Sequence, residues 1–135
     1  MTFDCSGICL VKNKLVLLAR RIEFNNGKRV PFGGYWSPFA GAIENGESPK
    51  DCAIRELKEE SGFSINSKDV FFQKVIKRKK TNVNFNFFIG MVKEFPKIEL
   101  DYEHTEFGIF KINRLETLSP MDDDVLNCLK KYYKN

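Results

Sequence analysis

Three glutamates invite a chemical reading. In Arg55-Glu56-Leu57-Lys58-Glu59-Glu60 the carboxylates of Glu56, Glu59 and Glu60 are spaced by i+3 and i+4. On a helix they share one face, while Ala53 and Leu57 fall on another stripe that can pack against a sheet. Like charges at that spacing repel by about a few tenths of a kcal/mol per pair. A hard divalent cation offsets the repulsion. Mg²⁺ takes oxygen ligands and keeps waters that a phosphate can share. The plainer alternative is a solvated acidic face, balanced by Lys58 and by Arg55 facing Glu59 at i+4. What surrounds the face decides between them: Gly41 and Glu47 precede it, and Gly62 and Phe63 close it.

The element that must carry this face is legible. Ser48 can cap a helix, Pro49 suits its first turn and Asp51 completes an S-x-x-D box. Gly62 stands where a helix stops, so the pattern predicts a helix over Pro49–Ser61. Before it, the apolar runs Ile8–Val11 and Leu15–Ala19 read as a strand pair. Arg20–Tyr35 is polar and turn-rich, with a tight turn expected at Asn26-Gly27. Trp36–Phe39 reads as a short strand. After the helix, strands are expected over Val70–Lys77, Val83–Val92 and Glu106–Phe110. In the second, Val83, Phe85 and Phe87 fall on one face, and Asn82, Asn84 and Asn86 on the other. Met121–Tyr133 reads as a final helix with Asp122, Asp123 and Asp124 at its N-terminal dipole end. Those aspartates are not a calcium loop, because Asn127 and Tyr133 stand where its Gly and Glu belong. The order implies α+β: a mixed sheet packed between helices.

Composition bounds the rest. The 135 residues make one domain, rich in aromatics with 13 Phe. The net charge of +4, from 22 basic and 18 acidic residues, biases the chain mildly towards anionic partners. Cys5, Cys9, Cys52 and Cys128 form no CxxC and His104 is the one histidine, so zinc is not expected and the thiols read as reduced. No window is apolar enough to span a membrane, and Met1–Gly7 does not read as a secretory leader, so a cytoplasmic location is expected.

On these residues the chain resembles the Nudix hydrolase family (MutT-like). Its signature, G-x5-E-x7-R-E-U-x-E-E-x-G-U with U a bulky apolar residue, is met by Gly41, Glu47, Arg55, Glu56, Leu57, Glu59, Glu60, Gly62 and Phe63. Two positions depart from common usage: Phe63 replaces a smaller aliphatic, and Ala40 stands where a second glycine is frequent. The resemblance implies one Nudix domain over residues 1–135, an α/β/α sandwich. It also implies Mg²⁺ (or Mn²⁺) held by Glu56, Glu59, Glu60 and the Ala40 backbone carbonyl. Arg55 would orient the glutamates and Glu47 would pair with it. Gly41, Glu47 and Gly62 would be structural, and Glu56 and Glu59 catalytic with Arg55. Glu103 would be the general base or a further metal ligand, with Glu106 the alternative. The implied reaction is hydrolysis of a diphosphate linkage in a nucleotide-like small molecule. RNA 5′-end pyrophosphohydrolysis and a non-catalytic nucleotide-sensing module are the alternative readings.

Substrate contacts are sought outside that segment. Trp36-Ser37-Pro38-Phe39-Ala40-Gly41 and the Glu103-His104 pair look like the dinucleoside polyphosphate branch. Tyr35, Trp36, Phe39, Phe85 and Phe87 are candidates to stack a base, with sheet core the favoured reading for Phe85 and Phe87. Arg20 and Arg21 could reach phosphates. Lys77 and Arg78 could do so from the basic run Lys74, Lys77, Arg78, Lys79, Lys80. A small-molecule partner is expected over RNA, with no membrane partner, as a monomer or homodimer.

Overall fold

The computed structural model describes residues 3–79 and 81–134; Lys80 therefore lies outside the described residues. The described residues form nine strands and two α-helices: β1 (Phe3–Lys12), β2 (Leu15–Arg21), β3 (Phe24–Asn25), β4 (Lys28–Arg29), β5 (Trp36–Ser37), β6 (Phe39–Ala42), α1 (Pro49–Ser61), β7 (Val70–Arg78), β8 (Val83–Met91), β9 (His104–Lys111) and α2 (Asp123–Lys134). The central sheet runs β5-β2-β1-β8-β7, with β6 also paired to β1 and β9 to β2. The β1–β8 pairing is parallel over Phe3–Val11, and the other pairs of this sheet are antiparallel.

The apolar runs at Ile8–Val11 and Leu15–Ala19 are continuous because both faces of the sheet are covered. Ile8, Leu10, Leu17 and Ala19 point to one side and pack with Ala53 and Leu57 of α1. Cys9, Val11, Val16 and Leu18 point to the other and pack with Val125 and Leu129 of α2. The result is the mixed sheet sandwiched between helices that the element order implies. Among the described residues no helix is long and apolar enough to cross a membrane.

Some boundaries differ from the sequence expectation, each for a local reason. The strand expected at Trp36–Phe39 is two strands: β5 pairs with β2 and β6 pairs with β1. Pro38, which lacks an N–H for a ladder, stands at the break. β9 is longer than Glu106–Phe110 because it pairs along all of β2, from Leu15↔Lys111 to Arg21↔His104. The last helix starts at Asp123 rather than Met121. Asp122 acts as its cap, its carbonyl accepting from Leu126 N at 3.0 Å and its Oδ1 from Asp124 N at 3.1 Å. The Asn26-Gly27 turn joins β3 to β4, both residues at positive φ (52° and 77°), as a primed hairpin turn requires.

The helix α1 spans the predicted residues. Ser48 caps it, its side chain accepting from Asp51 N at 3.1 Å. Gly62 ends it at φ 81°, its N–H donating to Lys58 O at 2.9 Å. An L residue there enters the left-handed region at a cost of about 1–2 kcal/mol. Gly62→Ala is therefore expected to lower stability by about that amount while leaving the far-UV circular dichroism unchanged. Denaturant midpoints for the two proteins measure it, and equal midpoints would contradict the role given to Gly62.

Candidate functional site

α1 lies against β6, and the two carry most of the acidic site. Of the three glutamates, Glu56 and Glu60 face inwards and are buried, whereas the Glu59 side chain is 56 % exposed. Gly41 of β6 explains how a carboxylate is admitted between helix and strand: a Cβ at residue 41 would overlap the Glu56 carboxyl group. Gly41 is a steric necessity here, its missing side chain being the space that Glu56 fills.

Arg55 holds the loop before α1 to the helix. Its Nε and Nη2 donate to the two Glu47 oxygens at 2.7 and 3.0 Å, a bidentate pair. Nη1 donates to Glu56 Oε1 at 2.9 Å and reaches Glu59 at 3.2 Å; Nη2 also donates to the Ala42 carbonyl at 3.0 Å. Glu47 Oε1 in turn accepts from Glu44 N at 3.1 Å. The Arg55 guanidinium pulls the Glu47 carboxyl down to about 2, and Glu47 is the main reason Arg55 titrates above its ordinary range.

Glu60 has an unusual environment. Its Oε1 accepts from Ala40 N at 3.1 Å, while Oε2 is buried with no hydrogen-bond partner. Burial, then the adjacent Glu56 carboxyl, raises its pKa well above the carboxylate range; Glu103 adds to the rise. The expectation for Ala40 concerned its carbonyl; the contact in the structure is made by its N–H.

Glu103 precedes β9, half-buried, and lines the same pocket as Glu56. Its backbone N–H donates to Asp101 Oδ1 at 3.2 Å and its carbonyl accepts from Ile22 N at 2.9 Å. Burial and Asp101 raise its pKa, with Arg21 opposing. The β2–β9 ladder shifts register between Arg20 and Arg21, and such a bulge re-aims side chains. Past the bulge, Arg21 lines the pocket, its Nε buried and without a partner, and Glu106 pairs outside with Arg20 at 3.5 Å. Behind Glu60 lies His104, fully buried, with Nδ1 2.9 Å from Asp101 Oδ1 and Nε2 3.8 Å from Glu60 Oε1. Burial lowers its pKa, with Asp101 opposing.

The donor set fits a hard divalent cation: an orphaned buried carboxylate oxygen, a glycine cradle, and carboxyls that raise one another's pKa. Among the described residues no three acidic, His or Cys side chains are already gathered into a metal cage. Such a cage is not required for Mg²⁺, which is usually held by one or two carboxylates and its own waters.

The pocket beside these carboxylates has a volume of about 570 Å³. It is lined by Gly41, Glu56, Glu103 and Arg21, and also by Phe32, Tyr35, Phe85, Arg78 and Asp122. Arg78 pairs with Asp122 and with Asp124 (3.0 Å), and its guanidinium lies 5.0 Å from the Phe32 ring centre and 5.5 Å from that of Phe85. Of the six residues expected at the substrate, Arg21, Tyr35 and Arg78 line this pocket. Arg20 turns away to Gly34 O and Glu106. Trp36 packs edge-on against Phe110, 5.0 Å between ring centres, on the α2 side of the sheet. Lys77 is exposed on β7 and does not line the pocket. Phe32 and Asp122, not expected at the pocket, do line it; Phe85, favoured as core over base stacker, is both core and wall, and Phe39 is buried in the core on the α1 side. The signal for Phe32 was its place beside Gly33-Gly34; nothing in Met121–Asp124 distinguished a pocket residue from a helix cap.

Comparison with known proteins follows the geometry. Residues 2–131 match the family described as NUDIX domain. Over 57 residues (42 % of this chain, 28 % of the relative) the chain is 44 % identical to Nudix hydrolase 25 of Arabidopsis thaliana. Over 53 residues (39 % and 34 %) it is 42 % identical to the oxidized purine nucleoside triphosphate hydrolase of Mus musculus. The matches thus span about a third of these relatives' own length. The MutT protein from Methanosarcina mazei Go1 shares the fold, with a TM-score of 0.78 at 20 % identity over 98 % of this chain and 94 % of that one.

The Arg55–Glu47 pair gives a pH test with a definite sign. Glu47 titrates at about 2 in the folded chain against an ordinary 4.5. Its stabilising contribution is therefore complete above about pH 4.5 and fades as pH falls towards 2. Glu47→Gln is expected to lower the melting temperature by several degrees at pH 7 and by much less near pH 2.5. Paired thermal melts test this, and a gap that is constant across pH would contradict it.

Proposed function

From the premise that this chain belongs to the NUDIX family, we propose that it is a pyrophosphohydrolase that uses Mg²⁺, with Mn²⁺ able to substitute, to cleave a diphosphate linkage in a nucleoside polyphosphate. One observation carries the reading: a single pocket is lined both by the carboxylates Glu56 and Glu103 and by the rings of Phe32, Tyr35 and Phe85. The name of the mouse relative, a nucleoside triphosphate hydrolase, points the same way.

Each part has a task under this reading. The rings of Phe32, Tyr35 and Phe85 take the base by stacking and contact. Arg21, half-buried and with an Nε that has no hydrogen-bond partner, meets the phosphates. Glu56, Glu60, Glu59 and the Ala40 carbonyl hold the cation. When bound, Mg²⁺ neutralises phosphate charge and makes a coordinated water more acidic. Arg55 keeps Glu56 and Glu59 in register with the loop. Glu103, held above the ordinary carboxylate range and close to Glu56, is suited to take the proton of the attacking water. The products are a nucleotide shortened at the cleaved linkage and the released phosphate moiety.

Three measurements test this. Glu59→Gln and Glu60→Gln are each expected to cut turnover at least ~100-fold with the fold intact, because each removes charge that stabilises the transition state. Near-normal turnover in either would remove that residue from the site. Phe32→Ala is expected to raise KM about tenfold with a smaller change in kcat, since base stacking is worth about 1–3 kcal/mol. A panel of nucleoside triphosphates, dinucleoside polyphosphates, sugar nucleotides and triphosphate RNA, read by product mass in ¹⁸O water, identifies the substrate and the phosphorus attacked. No product from any member with Mg²⁺ would overturn the assignment.

A further inference from the structure

We propose that His104, braced by Asp101, is a positioning residue for the Glu60 carboxylate. The inference rests on reading Glu60 as a cation ligand. His104 opens β9 at the bulge, opposite Arg21, and its side chain has no exposure. Its Nδ1 lies 2.9 Å from Asp101 Oδ1. An ionised carboxylate only accepts, so Nδ1 carries the hydrogen and the ring cannot flip without losing that bond. Asp101 is itself fixed to α1, its N–H donating to the Glu60 carbonyl at 3.2 Å. Phe39 stands edge-on to the imidazole, 5.4 Å between ring centres.

These contacts place Nε2 3.8 Å from Glu60 Oε1, with no hydrogen-bond partner of its own. At that distance the ring is a wall rather than a hydrogen-bond donor. Glu60 Oε1 thus sits between Ala40 N–H, at 3.1 Å, and the imidazole, and Oε2 is the oxygen left without a partner. The two neighbours decide which oxygen is held and which is presented. A carboxylate on a flexible side chain has to be fixed by such neighbours, because the order it lacks must otherwise be supplied when the cation binds.

The test needs no substrate. Mn²⁺ binding is titrated by the electron paramagnetic resonance of the free ion, at one fixed pH, alongside thermal melts of every variant. His104→Phe keeps the ring volume and loses both nitrogens. His104→Asn keeps a polar atom near Asp101 and ends short of Glu60. His104→Gln reaches the place of Nε2. Asn, which leaves a gap behind Glu60 Oε1, is expected to weaken Mn²⁺ binding about 10–100-fold, the usual cost of losing a group that orients a ligand; Phe, which keeps the wall and loses only the bond to Asp101, is expected to weaken it less. Gln is expected to recover most of the affinity. Should His104→Phe fail to fold, His104→Asn and His104→Gln decide alone. Wild-type affinity in His104→Asn, or Gln no better than Asn at equal melting temperature, would overturn the proposal. A wild-type chain that binds no Mn²⁺ would overturn the reading of Glu60 as well, whereas loss in Glu60→Gln with no loss in His104→Asn overturns the positioning role alone.

Discussion

The Arg55 guanidinium is the interaction on which the acidic site depends. It sits among Glu44, Glu47, Glu56, Glu59 and the Ala42 carbonyl; the bonds to Glu47 and Ala42 tie the preceding loop and strand to α1, and those to Glu56 and Glu59 hold side chains of α1 itself. Four carboxylates around one cation would be unfavourable if all were removed from water. Here the removal is graded. Glu59 stays largely solvated, Glu47 is paired through both oxygens, and Glu56 is buried against Gly41. A lysine could not replace this arrangement, because a point charge has no fork to hold Glu47 bidentately while reaching Glu56 and the strand carbonyl.

Glu60 is the counterpart that Arg55 does not reach. It has one backbone donor, no cationic partner, and a neighbour of its own sign. Burial of a carboxyl in this state is costly, and the raised pKa is the form that cost takes. The chain has 22 basic residues, yet among the described residues no Lys or Arg is paired with Glu60. The arrangement makes physical sense if the missing positive charge comes from outside the chain.

How much of this was written locally can be argued element by element. α1 was legible because its signals are local: a cap, a proline at the first turn, a glycine at the stop and an apolar stripe. The double-sided strands were legible as apolar runs, and their burial on both faces follows from the helices that flank the sheet. The site was legible to the extent that it is helical, since i+4 spacing fixes which glutamates share a face. The substrate end was not. Trp36 and Tyr35 are adjacent, yet strand alternation sends Trp36 to the α2 side and leaves Tyr35 at the pocket. His104 read as a loop residue because the pairing that makes it the first residue of β9 is with β2, far away in sequence. Such placements come from pairing over long separations, and no window of residues contains them.

The same pairing explains why one pocket has two chemical characters. β1 lies between β8 and β6, which pairs Phe85 with Cys5, its ring reaching Gly7, and sets Gly41 opposite Ser6. A Cβ at residue 7 would meet the Phe85 ring at 2.6 Å, so a glycine in β1 sets how deep the aromatic wall sits. A second glycine, in β6, sets how close Glu56 comes. The aromatic wall and the Glu56 carboxyl are therefore gauged from neighbouring strands of one sheet, by glycines whose missing side chains leave the space that each occupies.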